Sequence, residues 1–299
     1  MKLGYIGLGK MGLNMVLRLH EQGHEVVAYD ASEEAWRHAE EQGVQVVSSL
    51  TKFIQALEPP RVVWIMIPHH CVDQLLFDLL PGMSGGDVLI DGGNSNYKDS
   101  MRRADEITQK GIRFMDVGVS GGPEGARNGV CLMIGGEKND FEALRDLFVA
   151  IAAPEALGYM GTSGAGHFVK MVHNGIEYGM MQSIAEGFSL MKASDFNLNL
   201  TEVARVYNNQ SVIASRLIGW LQKGFEHYGE ELETISGSAS ASGEGEWTVK
   251  AAHELGISDI VIHESLKART ASQKKPSYQG KLVSVLRTMF GGHEVKREE

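Results

Sequence analysis

The run Lys2-Leu-Gly-Tyr-Ile-Gly7-Leu-Gly9-Lys-Met-Gly12 constrains this chain more than any other stretch. An apolar, strand-like segment ends in three glycines spaced G-x-G-x-x-G, and a helix-like segment, Met11–Glu21, follows. Residues without a Cβ let the backbone approach a pyrophosphate closely. The start of the following helix offers unpaired N–H groups and the positive end of its dipole. Gly7, Leu8, Gly9, Lys10, Met11 and Gly12 are therefore candidate cofactor contacts. Glycines at this spacing also make ordinary turns, so the context decides. A second strand-like run, Glu25–Tyr29, ends on Asp30, 18 residues after Gly12. A carboxylate there accepts hydrogen bonds from both ribose hydroxyls of NAD and repels a 2′-phosphate. Ala31, Ser32 and Glu33 offer no arginine to hold such a phosphate, so NAD is the expected cofactor and NADP is disfavoured. The competing role for Asp30, N-cap of the next helix, could be filled by Ser32.

Further strand-like runs are Arg61–Ile67, Asp87–Ile90, Arg113–Val117 and Val130–Ile134. Helix-like stretches Ser32–Gln42, Tyr97–Lys110 and Asp140–Ala150 alternate with them. That alternation predicts right-handed βαβ units and a mostly parallel sheet. From Ser163 the texture changes. Ser163–Ala193 reads as one long, largely apolar helix, and helical patterns dominate afterwards. The expected fold is α/β: an N-terminal Rossmann-type doubly wound domain, 1–162, and a C-terminal all-α domain, 163–299, for substrate and oligomerisation. Ser236–Gly245 (SGSASASGEG) is low in complexity and reads as a flexible loop; Gly291–Glu299 reads as a short polar tail.

A net charge of −10 argues against nucleic acid and anionic membrane as partners. Two cysteines, Cys71 and Cys131, make no disulfide framework and suit a reducing cytoplasm. No signal peptide and no apolar run long enough for a transmembrane helix are expected. The eleven histidines show no HExxH-like spacing, so no metal is expected. In Ile67-Pro68-His69-His70-Cys71, at the carboxyl end of a strand, adjacent residues do not converge well on one ion. Ile67 and Pro68 read as cofactor contacts, and the whole stretch as a loop beside the cofactor.

The most informative segment is His167-Phe-Val-Lys170-Met-Val-His173-Asn174-Gly-Ile-Glu177-Tyr178. Lys170, His173, Asn174 and Glu177 fall at i, i+3, i+4 and i+7, one stripe on one helix face. Solvated faces are mostly Glu, Lys, Gln and Arg. Four different polar chemistries inside an apolar helix expected to be buried point instead to a bound substrate. Two glycine-rich segments join them: Val119-Ser120-Gly121-Gly122-Pro-Glu-Gly125-Ala126, suited to a carboxylate, and Asp91-Gly-Gly93-Asn94-Ser95 at a strand end.

Together GLGKMG, DGGNS, GVSGGPEGAR and K-x-x-H-N-G-I-E-Y resemble the 6-phosphogluconate dehydrogenase family, in its order and spacing. Gly245-Glu-Trp247-Thr248 and Arg287-Thr-Met-Phe290-Gly-Gly-His293 are similar to further family segments. The chain looks like the short, NAD-preferring branch of the family. The resemblance implies oxidative decarboxylation of 6-phosphogluconate to ribulose 5-phosphate in the pentose phosphate pathway. It makes Lys170 the general base and Glu177 the acid. It makes Asn94, Ser120, Gly121, Gly122, His173 and Asn174 substrate contacts, with Asn94 also reaching the cofactor. Tyr178, Arg269, Arg287 and His293 are placed by it around the phosphate, and a homodimer or homotetramer is implied in which Arg287 and His293 can act in trans. One residue departs from the pattern. Glu246 stands before Trp247-Thr248 where many members carry a cation, so either Lys250 or another cation substitutes, or phosphate affinity is weaker, or the substrate differs. Two alternatives follow: a non-decarboxylating NAD-dependent β-hydroxyacid dehydrogenase acting on an unphosphorylated acid, and a non-catalytic NAD-binding sensor.

Overall fold

The computed structural model describes residues 1–240 and 243–292. The chain divides into two compact units, Met1–Lys170 and Met171–Glu299.

The first unit holds strands β1 (Lys2–Ile6), β2 (Glu25–Tyr29), β3 (Gln45–Val46), β4 (Val62–Ile65), β5 (Val88–Asp91), β6 (Arg113–Ser120), β7 (Val130–Gly135) and β8 (Ala152–Gly161). They form one sheet in the order β3-β2-β1-β4-β5-β6-β7-β8. The first six strands run parallel, β7 is antiparallel to β6, and β8 is parallel to β7. This is the doubly wound arrangement, whose strand order reverses between β1 and β4 and opens a crevice at the carboxyl ends of those strands. Helices α1 (Lys10–Glu21), α2 (Glu33–Glu41), α3 (Leu50–Gln55), α4 (His69–Leu79), α5 (Tyr97–Thr108), α6 (Gly122–Asn128), α7 (Lys138–Ala143) and α8 (Arg145–Ile151) connect the strands. The sheet is buried on both faces, so its central strands are unbroken apolar runs, such as the fully buried Val62-Val-Trp-Ile of β4. One core gathers Leu3, Tyr5, Trp64 and Ile90, and the other gathers Val27, Phe53, Val63 and Leu89.

Three expectations need correction here. His69, His70 and Cys71 are not a loop but the first turn of α4, with Pro68 as its N-cap. The helix expected over Asp140–Ala150 is broken at Leu144 into α7 and α8. The edge strands β3 and β8 were not foreseen. The first is two residues long, and the second carries Pro154 and Gly158, which are tolerated at an edge but have no strand signature.

The second unit is helical: the remainder of α9 (Ala165–Lys192), then α10 (Leu200–Tyr207), α11 (Arg216–Tyr228), α12 (Glu244–Leu255), α13 (Ile260–Lys274) and α14 (Tyr278–Gly291). Phe188, Leu221, Phe225, Leu282 and Leu286 anchor its core. Helix α9 is not buried all round as expected: Ile176 and Met180 are exposed on it. No helix among the described residues is long and apolar enough to cross a membrane.

The low-complexity segment also departs from its reading as a flexible loop. Ser236 and Ala239 are buried, the Ala239 amide donates to Ser272 Oγ at 3.0 Å, and Ser284 Oγ donates to the Ser238 carbonyl at 3.4 Å. Its small side chains let backbone thread between helices; an added Cβ at Gly280 would overlap the Gly237 carbonyl oxygen. Glu244 and Gly245 already belong to α12. Ala241 and Ser242 lie outside the described residues, as does His293, the last of the proposed phosphate ligands.

Candidate active site

In the first unit, the turn from β1 to α1 forms the candidate cofactor cradle. Gly7 has φ +102°, which L side chains rarely adopt. An added Cβ at Gly12 would overlap the Gly7 carbonyl oxygen, whereas one at Gly9 would meet nothing within 4 Å. The turn is therefore packed beneath and open above Gly9. Helix α1 starts there with no side-chain cap and no acid in its first turn. Its leading N–H groups and the exposed Lys10 suit an anion, and this geometry fits a dinucleotide pyrophosphate. Leu8 and Gly12 are buried under the turn, and Met11 is half-buried.

Asp30 ends β2 and fixes this turn. Its Oδ2 accepts the Leu8 amide at 2.6 Å and its Oδ1 accepts the Ser32 amide at 2.7 Å. Capping of α2 falls to Ser32, whose Oγ accepts the Ala35 amide. Each Asp30 oxygen retains lone pairs for a ribose hydroxyl.

The β4 and β5 ends close on the same place. Ile67 Cγ2 lies 2.8 Å from where a Gly7 Cβ would stand, and the Ile67 carbonyl 2.8 Å from a Gly93 Cβ. Ile67 is thus wedged between the glycine turn and the loop bearing Asn94. That loop hangs on buried Asp91, which accepts the Gly93 amide at 3.0 Å, Ser95 Oγ at 2.7 Å and Arg103 Nη1 at 3.3 Å. Sequence reasoning missed Arg103, which also reaches Asp73.

Lys170 belongs to this unit too. The first turns of α9 are held by buried Asp116 of β6, which accepts the Gly164 amide at 2.6 Å and the His167 amide at 2.8 Å. His167 in turn shares a 2.7 Å hydrogen bond with Ser100 Oγ. Further along, an added Cβ at Gly118 would overlap Lys170 Cβ. The root of Lys170 therefore rests on β6, two residues from Ser120. Gly121, at φ +147°, and Gly122 begin α6 immediately after it. Cys131 pairs with Ser120 across β6 and β7. Burial pushes its thiol up, and the Lys170 charge opposes that rise. Amine, hydroxyl and glycine turn are thus collected at one strand end.

In the second unit, His173, Asn174 and Glu177 continue the same helix at the expected spacing. They are half-buried, not fully buried as expected. His173 Nδ1 is 2.9 Å from Asn174 Oδ1 and 4.0 Å from Glu177 Oε2. Asn174 Nδ2 donates to Glu244 Oε1 at 3.1 Å. Glu244 is buried at the start of α12 and was not anticipated. Helices α9 and α12 meet closely because both present glycines. A Cβ at Gly175 would stand 2.6 Å from Thr248 Cγ2, and one at Gly245 would stand 2.7 Å from Tyr178 Cε2. Thr248 Oγ1 is shared between the Met171 and Glu244 carbonyls at 2.9 and 2.8 Å.

Two buried arginines complete this cluster. Arg269 (4% exposed) stacks on the buried Tyr178 ring, with Cζ 3.6 Å from the centroid. Arg287 (8% exposed) donates to Ser240 Oγ at 2.9 Å. Burial pulls both guanidiniums below the usual arginine range. Tyr178 and Glu177 oppose that for each, Glu244 does so for Arg287, and Arg287 adds a like charge against Arg269. Neither forms an ion pair with a described residue. Glu246 and Lys250 are exposed on α12.

Comparison with known proteins agrees with this geometry. A signature described as the NAD binding domain of 6-phosphogluconate dehydrogenase matches residues 2–164, and one described as the 6-phosphogluconate dehydrogenase C-terminal domain matches 166–299. A Bacillus subtilis (strain 168) protein named putative 6-phosphogluconate dehydrogenase YqeC is 43% identical over 298 residues, covering 100% of both chains. The NAD(+)-dependent, decarboxylating 6-phosphogluconate dehydrogenase of Haloferax volcanii is 40% identical over 301 residues, again covering 100% of both. Among solved structures, Plasmodium falciparum 6-phosphogluconate dehydrogenase superposes with a TM-score of 0.81 at 30% identity, covering 92% of this chain and 62% of that one. Mycobacterium tuberculosis 3-hydroxyisobutyrate dehydrogenase superposes with a TM-score of 0.75 at 20% identity, covering 96% and 98%, a likeness of fold alone.

Proposed function

The chain belongs to the 6-phosphogluconate dehydrogenase family, and from that premise we propose that it oxidatively decarboxylates 6-phosphogluconate to ribulose 5-phosphate with NAD as oxidant. The observation that carries this reading is the pair of buried arginines, one stacked on Tyr178, for which burial outweighs the attraction of Glu177 and Glu244. Two buried cations of like charge are costly, and a substrate phosphate supplies further counter-charge. An unphosphorylated hydroxy acid leaves them unpaired, which weighs against the non-decarboxylating alternative. A sensor has no need of the amine and carboxyl that α9 carries.

The Lys170 amine accepts the proton of the carbon 3 hydroxyl. A dinucleotide held by the Gly7–Gly12 turn and Asp30 would supply the hydride acceptor for that carbon. The resulting 3-keto acid loses carbon dioxide as the carbon 1–carbon 2 bond breaks and its electrons move toward the carbonyl oxygen. Lys170, now an ammonium, returns its proton to that oxygen. Glu177 delivers a proton to carbon 1 of the enediol, giving ribulose 5-phosphate. Ser120, the Gly121–Gly122 amides, Asn94, His173 and Asn174 hold the carboxylate and hydroxyls, and Glu244 aims the Asn174 amide. Arg269, Arg287, Tyr178 and His293 receive the phosphate. The preference for NAD is supported by Asp30 with no arginine among the next three residues and by the NAD(+)-dependent relative. Exposed Ile176, Met180, Ile260 and Val261 support self-association as a homodimer or homotetramer.

The test is coupled formation of NADH and carbon dioxide from 6-phosphogluconate. Lys170→Ala should abolish both while leaving NAD binding intact; substantial residual turnover refutes the base. Asp30→Ala should weaken discrimination against NADP, and equal use of NADP by the wild type sinks the ribose argument.

A further inference from the structure

The α12–α13 hairpin of the helical unit carries a second cluster, made by residues the reaction does not use. His253 sits in the last turn of α12, Asp259 is the N-cap of α13, and His263 follows one turn later. One ligand-type atom from each lies within 4.8 Å of the other two. We infer that these three side chains bind a divalent cation of the zinc class.

Two features of Asp259 point to a ligand. Aspartate at an N-cap ordinarily accepts an amide of the first turn, an interaction worth about 1 kcal/mol. Asp259 makes no such cap. Its carboxylate turns toward the imidazole of His253, and Oδ2 is fully buried with no hydrogen-bond partner among the described residues. A buried carboxylate oxygen left unsatisfied is costly, so something outside the chain is expected to satisfy it.

The spacing identifies that partner's class. Asp259 Oδ2 and His253 Nε2 are 3.5 Å apart. That is long for a hydrogen bond. It is close to the separation of two ligands on one tetrahedral zinc, which with bonds of about 2.0–2.2 Å comes to roughly 3.4 Å. Two imidazoles and one carboxylate suit zinc and its late first-row neighbours, whereas magnesium and calcium require shells of oxygen. The His253 side chain is 59% exposed, which leaves room for water at the fourth position and makes the ion exchangeable. The spacing His-x5-Asp-x3-His spans a helix end, a turn and a helix start, so no single-helix motif announced it.

An ion held here ties the end of α12 to the start of α13. The same two helices bear Glu244 and Thr248, and Arg269. Bound metal therefore stabilises the hairpin without entering the reaction.

Chelator-treated full-length protein is titrated with zinc chloride against a chromophoric competitor, and its thermal unfolding is followed with and without zinc. Wild type should bind one equivalent at this site and gain in Tm. Cobalt(II) in place of zinc should give the visible absorption of a four-coordinate nitrogen and oxygen site. The double variant His253→Ala, His263→Ala and the milder Asp259→Asn should each lose more than about tenfold in affinity and lose the Tm gain. Both should retain wild-type turnover without added metal. Binding of unchanged affinity in the two variants places the ion elsewhere and overturns the inference, as does a wild type whose Tm and cobalt spectrum ignore the metal.

Discussion

Replacing Arg269 with methionine should stabilise this protein and disable it at the same time. The guanidinium is 4% exposed, and its closest polar contact besides Tyr178 is the weakly accepting Met181 sulfur at 4.0 Å. Its stacking on Tyr178 returns about 0.5–2 kcal/mol. Desolvating an unpaired charge costs several kcal/mol, and exchange of buried charges for apolar residues of like volume gains about 1–4 kcal/mol. The like charge of Arg287 adds to the cost. Methionine keeps most of the volume beside Met181. The expected net gain is roughly 1–3 kcal/mol, or about 2–8 °C in Tm for a chain of this size. Wild type should gain comparably from saturating inorganic phosphate, about 2.7 kcal/mol at one hundred times its Kd, and Arg269→Met should not. Loss of a charge-assisted phosphate contact should lower kcat/KM for 6-phosphogluconate by about 2–4 kcal/mol, or 30- to 1,000-fold. Differential scanning calorimetry in chloride and in phosphate, with steady-state kinetics, measures both arms. A variant that is less stable than wild type in chloride, together with a wild type indifferent to phosphate, refutes the claim that the arginines await an anion.

Other substitutions test the packing that positions the site. Gly118→Ala should cost about 1–3 kcal/mol of stability and lower kcat with NAD affinity retained, because the new methyl overlaps Lys170 Cβ; an unchanged kcat means Lys170 does not rest on β6. Gly175→Ala gains about 1 kcal/mol in helix propensity but meets Thr248 Cγ2 at 2.6 Å, for a net loss of about 1 kcal/mol. Thr248→Ser should recover much of that loss in denaturant titrations, since it deletes the offending methyl and keeps both hydroxyl contacts. Asp87 is fully buried, and burial alone would raise its pKa. The Arg61 and Ser84 amides and the Arg61 guanidinium outweigh that and hold it below the ordinary value. A lowered folded-state pKa contributes stability at neutral pH that starts to fade as pH drops through the unfolded value near 3.8 and is gone below the folded one. Asp87→Asn should therefore lose stability at pH 7 and flatten the acid limb of the unfolding curve; an unaltered limb counts against the assignment.

The sequence made plain those features in which one local rule suffices. The glycine turn between its strand and helix, the apolar strand β4 and the i, i+3, i+4, i+7 stripe on α9 were each readable from local pattern and context. What escaped it depends on partners distant in the chain. Glu244 acquires meaning only when it meets Asn174, 70 residues away. Arg269 and Arg287 lie among other lysines and arginines of the C-terminal helices, and periodicity cannot separate them from a solvated face. The Ser- and Gly-rich segment before α12 reads as flexible because its side chains express no preference. That same smallness lets it pass between α13 and α14. Low complexity thus reports the size of side chains, not the exposure of the chain.

The same reasoning joins two segments that look independent. H-N-G-I-E-Y on α9 and G-E-W-T on α12 are two sides of one helix contact, because Gly175 makes room for Thr248 and Gly245 makes room for Tyr178. Each glycine exists for a residue in the opposite segment. The contact they permit brings Glu244 to Asn174 and leaves the Tyr178 ring beneath Arg269. Substitutions in one segment should therefore be offset by changes in the other, and not by changes nearby in the chain. A double-mutant cycle between Gly175→Ala and Thr248→Ser should show coupling of about 0.5 kcal/mol or more. The same cycle run with Trp247→Phe in place of Thr248→Ser should show little. Equal coupling in both cycles would mean that α12 responds as a whole, and the one-to-one matching of glycine and partner would not stand.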